Sequence, residues 1–436
     1  MRVLKFGGTS VATAEALQQV VQIIQGEVAS NGPCMVVASA TAGTTNKLLQ
    51  AATLAPYRCE DARQILAHIA DDHHTLAREA IDSGSLLHDT LEHIDAHIQR
   101  ALDLVDSLHV LQEWTEQSSD ALVMTGELLS TTILAALLQG WSTPVSLIPA
   151  TELLQTDDAF GAATVHFPAS QEQCRRRLLP VLREGMSVVT QGFIGATADG
   201  LPTTLGRGGS DASASILGAC VAAEEVQIWT DVSGVYSADP RLIPTARPIS
   251  SLHVGEIREL ALYGAKVVHP EAILPALEAG IRVRILNTFA PQDEGTVITN
   301  ITNDAEHHGP LHGPLHGPLH AVSAVQNCVV MQDAPTDVLP LPCLLELHTV
   351  DHSVKVFQPT TAEQRLLVGT APTVAVLCIV GPAAVHNATL HILGDALQEI
   401  DVLATVMGTS PWAVYAVVPQ SQCLQALQQV HTLLGS

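Results

Sequence analysis

Short runs of apolar and β-branched residues alternate with helical segments through residues 1–300 of the chain. Successive strands separated by helices pair in parallel, because the helix carries the chain back along the sheet. The alternation therefore predicts an α/β domain built on a mainly parallel sheet. The runs that we interpret as strands are Val3 to Phe6, Met35 to Ser39, Val145 to Ile148, Ser187 to Ile194, Val226 to Thr230 and Ile281 to Leu286.

The composition argues against several classes of protein. With 436 residues, 47% of them hydrophobic, the chain is long enough for a large core and for roughly two or three domains. A net charge of -24 argues against binding to nucleic acid or to an anionic membrane, since both favour a basic surface. The eight cysteines contain no C-x-x-C pair, so neither a zinc knuckle nor a disulfide framework is indicated.

Targeting signals and metal motifs are equally weak. No run approaches the ~18 uninterrupted apolar residues of a membrane span, and Arg2 and Lys5 stand too close to the first strand for a signal peptide. We therefore expect a cytoplasmic protein that does not enter a membrane.

His93 and His97 lie four residues apart on a predicted helix beside Glu92, a spacing that can bind a metal. A solvated face in a His-rich chain explains them better, and we predict no metal site built from protein ligands.

The N-terminus predicts a phosphate-binding turn. A strand ends at Lys5-Phe6, the pair Gly7-Gly8 turns the chain, and a helix with an apolar stripe runs from Thr13 to Val28. No G-K-[ST] sequence occurs, so this is not a Walker loop. The second strand ends in another turn of small residues, S-A-T-A-G-T-T-N, and two such turns should lie at one edge of a parallel sheet, where ligands of doubly wound folds bind.

A second glycine-rich stretch, T-T-L-G-R-G-G-S-D from Thr203 to Asp211, predicts an anion site. Its glycines let the backbone approach a ligand, and Ser210 or Asp211 can cap the helix that begins there. The first-turn N–H groups of that helix favour negative charge, and Arg207 adds a planar fork for a carboxylate or phosphate. A loop that merely turns the chain before a packed helix remains the alternative.

Further candidates follow the same turn-rich pattern. Glu127 enters an otherwise apolar helix, where it could meet an amino group or simply complement the helix dipole. The loop from Trp229 to Arg241 suits an adenine and its phosphates, although a surface connection would look similar. Lys266 lies beside a glycine turn in Y-G-A-K, as Lys5 does beside its own, and a lysine there commonly holds phosphates.

Taken together, these motifs resemble those of aspartokinases. The matching strings are K-F-G-G-T-S-V from Lys5, G-E-L-L-S-T from Gly126, G-R-G-G-S-D from Gly206, W-T-D-V-S-G-V-Y-S-A-D-P-R from Trp229 and G-A-K-V-V-H-P from Gly264, in the order of that family. The resemblance implies a three-layer sandwich of the amino-acid-kinase type followed by a smaller α+β region like an ACT domain. A bifunctional enzyme with an added homoserine dehydrogenase is not expected.

The resemblance also implies an activity. The reaction would be ATP-dependent phosphorylation of L-aspartate on its side-chain carboxylate, the entry to lysine, threonine, methionine and diaminopimelate synthesis, with Mg²⁺ bound to the nucleotide. A carboxylate with a pKa near ~3.9 is already ionised at neutral pH and needs no general base. Lys5 and Asp211 match catalytic positions. Substrate-binding positions are matched by Thr45, Glu127, Arg207 and Ser210. Nucleotide-binding positions are matched by Lys5, Gly7, Gly8, Thr230, Asp231, Tyr236, Arg241 and Lys266.

Three domains are expected: a kinase domain at 1–300, a linker at 301–320 and an ACT-like region at 321–436. The linker contains tandem H-G-P-L repeats, whose prolines forbid a regular helix. From Thr373, the pattern strand-helix-strand-strand-helix is similar to an ACT unit, whereas 321–371 looks degenerate because prolines stand where its helix belongs. The resemblance implies a homodimer through this region. Because the loop and helix that would hold an effector are hard to find in 321–371, we expect weak or absent feedback by lysine. A non-catalytic regulatory or amino-acid-binding protein on the same fold is the alternative.

Overall fold

The structure, a computed structural model, describes residues 1–265, 268–300, 319–332, 343–348, 353–361, 364–365, 372–381, 387–407 and 409–434. Among the sequence-based predictions, the nucleotide contact at Lys266 and the H-G-P-L repeats as far as residue 318 lie outside these residues. Within the described residues the chain divides into two compact units, the first from Met1–Gly234 with Val268–Asn300 and the second from Val235–Val267 with the remainder of the chain.

The helices and strands as far as residue 299 are β1 (Arg2–Phe6), α1 (Ala14–Asn31), β2 (Met35–Ala38), α2 (Thr44–Leu54), α3 (Cys59–Ala80), α4 (Ser85–Leu111), α5 (Glu116–Val123), α6 (Thr125–Gly140), β3 (Val145–Leu147), β4 (Gln155–Thr156), α7 (Phe167–Arg183), β5 (Ser187–Gln191), β6 (Ile194–Thr197), β7 (Pro202–Thr204), α8 (Gly209–Cys220), β8 (Glu225–Thr230), β9 (Ser251–His253), α9 (Val254–Leu262), α10 (Pro270–Glu278), β10 (Arg282–Asn287) and β11 (Thr296–Thr299). Those that follow are β12 (Ala321–Gln332), β13 (Cys343–His348), β14 (Ser353–Phe357), β15 (Thr373–Val380), α11 (Asn387–Ala396), β16 (Ala404–Val406), β17 (Ala413–Pro419) and α12 (Cys423–Leu433).

The first unit is built on a sheet whose strands lie in the order β3-β5-β2-β1-β8-β10-β11. Every pairing along this order is parallel except the last, where β11 runs antiparallel to β10. Apolar side chains on both faces of the central strands are buried, as a sheet covered by helices on both sides requires. The prediction of an α/β fold on a mainly parallel sheet is confirmed.

Two helical layers enclose this sheet. Leu4 and Phe6 of β1 belong to a buried cluster with residues of α1, α2, α3, α4 and α6 on one face. On the other face α8 packs so closely that a Cβ at Gly218 would lie 2.7 Å from Cγ2 of Val226 and 3.8 Å from Cγ2 of Val3. The expected three-layer arrangement is therefore present, and the absence of a side chain at Gly218 sets the distance between helix and sheet.

The first helix shows how local sequence signals produce this packing. Thr13 caps α1 by accepting a hydrogen bond from the N–H of Ala16 at 3.2 Å, and the chain leaves the helix at Gly32, whose φ is 79°. The apolar stripe Leu17, Val20, Val21 and Ile24 is fully buried against the sheet. The predicted helix from Thr13 to Val28 is confirmed, with an end three residues later.

One stretch, Glu116–Gly140, is long and apolar enough to cross a membrane if only length and composition are considered. It comprises α5 and α6, and 78% of its most apolar window is buried inside the protein. Leu129, Ile133 and Leu134 of α6 are part of the core cluster beside β1 and β2. A buried core helix satisfies the same criteria, so the stretch is weak support for a membrane-spanning segment.

A predicted single strand from Ser187 to Ile194 is wrong. In the structure β5 ends at Gln191, Phe193 adopts a left-handed backbone with φ 68°, and β6 begins at Ile194 in a separate sheet ordered β4-β6-β7. The physical reason is a sharp turn at Gly192-Phe193, which breaks the strand just where its side chains reach the sheet edge.

The second unit is an α+β structure. Its sheet has the order β13-β14-β12-β15-β17-β16, and all of its pairings are antiparallel. The order β15, α11, β16, β17, α12 reproduces the strand-helix-strand-strand-helix pattern predicted from Thr373. Alternate residues of β15 and β17 pack against Leu393 and Leu397 of α11 and against Leu427 and Val430 of α12. In the part predicted to be degenerate, β13 was not foreseen, and the expected helix region lies mostly outside the described residues.

The segment Val235–Val267 belongs to this second unit, whereas the sequence placed it in a catalytic domain at 1–300. Ala238 and Ile243 lie in the same buried cluster as α12, and Ser237 Oγ lies 2.9 Å from Nε2 of His431. The hydroxyl of Tyr415 donates to Oε2 of Glu259 in α9 at 2.7 Å. The predicted domain division therefore remains a prediction, and the compact units differ from it at this segment.

Candidate functional site

The candidate site lies at the carboxyl ends of β1 and β2. These strands are parallel, with Lys5 opposite Val37 and Phe6 opposite Ala38, so the turns that follow them meet at one sheet edge. A cavity of about 390 Å³, which we call the site cavity, opens there. Its lining residues are Lys5, Gly8, Ser39, Ala40, Thr41, Ala42, Gly43, Thr45, Asn46, Glu127, Phe193, Gly206, Gly208, Gly209, Ser210 and Asp211.

Lys5 and Asp211 form an ion pair inside this cavity. The ammonium of Lys5 on β1 lies 2.7 Å from Oδ1 of Asp211 in the first turn of α8, and both side chains are largely buried. Partial burial reduces solvent screening and strengthens the attraction. Gly7 has no side chain to cover this ammonium, since a Cβ there would lie 3.7 Å from the Lys5 Nζ. The lysine therefore has a fixed position and an open approach for an anion.

The helix α8 begins differently from the prediction. The sequence suggested Ser210 or Asp211 as its cap, but the helix starts at Gly209, and its N-cap is Gly208 with φ 72° and no capping side chain. Ser210 and Asp211 instead lie in the first turn and line the cavity. The helix begins before Ser210 because Gly208 has a left-handed conformation, which turns the chain directly into the helix. The N-terminus of α8 thus faces the cavity, where its dipole favours an anion.

Close backbone approach explains the glycines around the cavity. The N–H of Ala42 donates to the carbonyl oxygen of Gly8 at 3.1 Å, and a Cβ on Gly8 would lie only 2.8 Å from the carbonyl oxygen of Ala40. A Cβ on Gly209 would lie 2.4 Å from the ring of Phe193. A side chain at Gly8 would push the turn after β1 away from the loop after β2, and one at Gly209 would displace Phe193, so both glycines are required by these contacts.

Glu127 is a buried carboxyl at the wall of the cavity. It lies in the first turn of α6 and is 2% exposed. Its Oε1 accepts a hydrogen bond from the N–H of Ala40 at 3.2 Å, whereas its Oε2 has no hydrogen-bond partner among the described residues. Burial raises the pKa of Glu127 to about 8, although the backbone N–H groups of Ala40 and Glu127 act in the opposite direction. An unpaired, buried carboxyl oxygen of this kind is suited to a cation.

The structure places the other predicted residues as follows. Thr45 lines the cavity from the start of α2, and Arg207 is exposed between Gly206 and Gly208, both of which have positive φ. Thr230 and Asp231 follow β8 in the first unit, where the N–H of Gly7 donates to the carbonyl oxygen of Trp229 at 3.0 Å.

Tyr236 and Arg241 belong to the second unit. There the guanidinium of Arg241 forms a two-point ion pair with Asp239, and this pairing holds the pKa of Asp239 below its usual value. The structure therefore brings Lys5, Gly8, Thr45, Glu127, Ser210 and Asp211 together in one cavity, but it does not assign the predicted nucleotide contacts to a single unit.

Several residues at the site were missed. Asp120 accepts hydrogen bonds from the N–H of Gly161, the N–H of Thr204 and the hydroxyl of Thr204, and so fixes β7 just before the glycine loop. Phe193 forms an apolar wall. The turn Q-G-F-I-G could have indicated an irregularity next to Phe193, because an isolated glycine inside a strand pattern suggests a bulge or a close backbone approach. Nothing local indicates Asp120, whose partners lie 41 and 84 residues away.

Comparisons with known proteins agree with this fold. Residues 1–287 match the amino acid kinase family, and the chain belongs to that family. It is similar to lysine-sensitive aspartokinase 3 of Escherichia coli K12, with 34% identity over 308 residues, covering 69% of this chain and 65% of the relative. It is 33% identical over 309 residues to the aspartokinase of Chlamydia trachomatis, covering 71% of this chain and 66% of that protein. The resemblance to aspartokinases is thus confirmed.

Solved structures extend the likeness over the whole chain. The structure of E. coli aspartokinase III with aspartate and ADP has a TM-score of 0.78 and 26% identity, covering 100% of both chains. The structure of the same protein with lysine and aspartate has a TM-score of 0.83, again with 26% identity and full coverage of both. In sequence, however, the chain spans only about half to two thirds of the length of the curated relatives it matches.

Proposed function

We propose that this chain is an aspartate kinase that transfers the γ-phosphoryl group of ATP to the side-chain carboxylate of L-aspartate. The observation that carries the proposal is the convergence of two opposite charge features on one cavity. The ammonium of Lys5 and the N-terminus of α8 attract anions, and the unpaired oxygen of Glu127 attracts a cation. Aspartate and ATP together present both kinds of group.

The proposed roles follow from this arrangement. Glu127 binds the ammonium of aspartate, while Arg207, Thr45 and Ser210 hold its carboxylates. An oxygen of the substrate's side-chain carboxylate attacks the γ-phosphorus, the bond from that phosphorus to the bridging oxygen of ADP breaks, and 4-phospho-L-aspartate and ADP leave. No proton moves, so the site needs no general base. Of the two carboxyls that line the cavity within the described part of the chain, Glu127 binds the ammonium of aspartate in this proposal and Asp211 pairs with Lys5.

Lys5 supplies the electrostatic part of the reaction. Charge shifts toward the ADP oxygens in the transition state, and a fixed ammonium stabilises that charge without reorganising. Asp211 orients the ammonium through the 2.7 Å ion pair. The remaining nucleotide contacts in this proposal are Gly7, Gly8, Thr230, Asp231, Tyr236, Arg241 and Lys266.

The residues also fit Mg²⁺ with the nucleotide. Mg²⁺ prefers one or two carboxylates together with phosphate oxygens, and Asp211 offers a carboxylate beside the glycine turns where phosphates would lie. When bound, the ion neutralises phosphate charge during transfer. We further propose a cytoplasmic enzyme of lysine, threonine, methionine or diaminopimelate synthesis that forms homodimers through its second unit.

A coupled assay of ADP release tests the function, with L-aspartate, L-glutamate and N-acetyl-L-glutamate as acceptors. We expect turnover with L-aspartate alone, and trapping by hydroxylamine should give the aspartyl hydroxamate expected of an acyl phosphate. ADP release with another acceptor only would reject aspartate as the substrate. Binding of aspartate and ATP without turnover would support the alternative, a non-catalytic amino-acid-binding protein on this fold.

A further inference from the structure

A buried histidine lies behind one wall of the site cavity. His73 belongs to α3 and is 1% exposed. Its Nδ1 lies 2.7 Å from the carbonyl oxygen of Ile69, and its Nε2 lies 3.2 Å from the hydroxyl oxygen of Thr41. That hydroxyl is also 2.6 Å from the hydroxyl of Thr44. Thr41 lines the cavity, so the three side chains connect the helix to the substrate-facing loop.

The direction of each hydrogen bond in this chain can be assigned. A carbonyl oxygen only accepts, so Nδ1 of His73 must carry a hydrogen and donate to Ile69. Burial lowers the pKa of His73, which keeps the imidazole neutral and leaves a lone pair on Nε2. The hydroxyl of Thr41 therefore donates to Nε2, and its oxygen accepts the hydrogen of Thr44. Both threonine hydroxyls are held in one orientation.

The loop fixed in this way carries the contacts that shape the aspartate side of the cavity. Within the loop, Ala40 donates its N–H to Glu127, and Ala42 donates its N–H to the carbonyl oxygen of Gly8. Between the two threonines, Gly43 has a left-handed backbone with a φ of 85°, and a glycine by itself restricts the conformation of the chain little. The N–H of Thr44 donates to the carbonyl oxygen of Thr41 at 3.1 Å, and the hydrogen bond between the two hydroxyls adds a second connection across this turn. Without an acceptor at residue 73, the hydroxyl of Thr41 would be left buried and unpaired or would reorient.

We propose that His73 is a positioning residue for the aspartate half of the site, acting through Thr41 to hold the loop that orients Glu127 and Thr45. The inference rests on the proposed function in naming aspartate as the ligand. His73 touches no substrate itself. Its contribution is to keep the loop in the conformation that binds, which should appear in the KM for aspartate rather than in that for ATP.

Two amide substitutions test the contributions of the two ring nitrogens of His73 separately. In His73→Gln the side-chain oxygen reaches the position of Nε2 and can accept from Thr41. In His73→Asn the shorter amide reaches only Ile69. We expect His73→Asn to raise the KM for aspartate about tenfold, the effect of losing one hydrogen bond of typical net strength, with the KM for ATP within about twofold. His73→Gln should stay within about threefold of the wild-type enzyme for both substrates.

His74→Asn is the matched control. His74 neighbours His73 on α3 but pairs with Asp95 of α4 at 2.8 Å, away from the loop. Its substitution should leave both KM values unchanged. Thr41→Val, with Thr41→Ser as its conservative partner, breaks the same bond from the other end. The effects of Thr41→Val and His73→Asn should not add in the double variant, because each removes the same interaction. The pair of Thr41 variants keeps the test decisive if His73→Asn does not fold.

Hydrogen exchange of the free protein gives a readout independent of activity. Amides of the peptide covering residues 39–46 should exchange at least about tenfold faster in His73→Asn than in wild type, and near the wild-type rate in His73→Gln. If wild type does not phosphorylate aspartate, the proposed function fails while this measurement still tests His73. Equal losses in Asn and Gln variants, with the KM for ATP rising in parallel, would make His73 an ordinary core residue. Wild-type KM values and exchange in His73→Asn would also overturn the inference.

Discussion

Raising the pH from 6 to 8 should lower the KM for aspartate steeply, because Glu127, which in our proposal binds the substrate's ammonium, has to lose a proton first. Burial raises the pKa of this carboxyl to about 8, so most molecules of the free protein carry it protonated at neutral pH. Binding is weakened by the fraction that is not competent. For a pKa of about 8 the factor is about 100 at pH 6, about 11 at pH 7 and about 2 at pH 8. The KM should thus fall roughly 50-fold over this range.

Glu127→Gln is the decisive variant. Glutamine keeps the shape and can still accept from the N–H of Ala40, but it cannot ionise. Its KM for aspartate should be high and independent of pH between 6 and 8. At pH 8 it should exceed the wild-type value by about 10- to 100-fold, the range expected when a charge-assisted hydrogen bond is lost.

The stability of the free protein gives an independent check of the direction in which the pKa of Glu127 is shifted. The folded-state pKa of Glu127 is raised above its ordinary value of 4.5, so its protonated form stabilises the fold below that value and this contribution is lost as the pH rises through about 8. Glu127→Gln should therefore melt at the same temperature as wild type or higher at pH 8. A fall in its melting temperature would mean that the carboxylate is paired in the folded protein.

Initial rates at saturating ATP, with aspartate varied at each pH, measure the effect, and calorimetric titration with aspartate separates binding from turnover. The KM for ATP is the internal control and should stay nearly flat, because Glu127 lies in the aspartate half of the proposed site. A wild-type KM for aspartate that does not change between pH 6 and 8 would refute the reasoning. So would an equal pH dependence in Glu127→Gln.

Three further outcomes follow from the same site. Lys5→Ala should lower kcat at least about 100-fold, while circular dichroism shows the fold retained, since a fixed donor to transition-state charge commonly has that effect; near-normal turnover would remove Lys5 from the site. Arg207→Lys keeps the charge but loses the planar fork, and should raise the KM for aspartate far more than that for ATP; the reverse would assign Arg207 to the nucleotide. Lysine and threonine, titrated alone and together, should inhibit weakly or not at all, because prolines stand where the helix of the first ACT-like unit belongs; cooperative inhibition at sub-millimolar lysine would contradict this.

The structural elements around the cavity that the sequence predicted correctly depend on local signals. A strand, a glycine pair and a capped helix follow one another within a few residues, so β1, the turn at Gly7-Gly8 and α1 could be read directly from the chain. The parallel pairing of β1 with β2 then brings their turns to one edge, which is why Lys5 and Thr45 were expected in one place. Local motifs were sufficient here, together with the rule that the turns after neighbouring parallel strands lie at one edge of the sheet.

Long-range contacts explain what the sequence did not predict. The raised pKa of Glu127 arises from burial of its carboxyl in the folded protein, and the N–H that contacts this carboxyl belongs to Ala40, 87 positions away. Thr41 and His73 are 32 positions apart on elements that no periodicity connects. The strand β13 follows closely spaced prolines, which indicate a break, and it exists through its pairing with β14. Each of these features requires the tertiary structure.

The segment Val235–Val267 shows that a sequence motif and the compact unit into which it packs can have different boundaries. Its sequence continues the string that begins at Trp229, so a reading by motif places Tyr236 and Arg241 with the kinase domain. Its packing is with α12, through Ser237 and His431 and through Ala238 and Ile243 in the buried cluster of the second unit. In our proposal Tyr236 and Arg241 contact the nucleotide. Motif and packing therefore divide the chain differently here, because a motif follows the order of the residues whereas a compact unit follows their buried contacts.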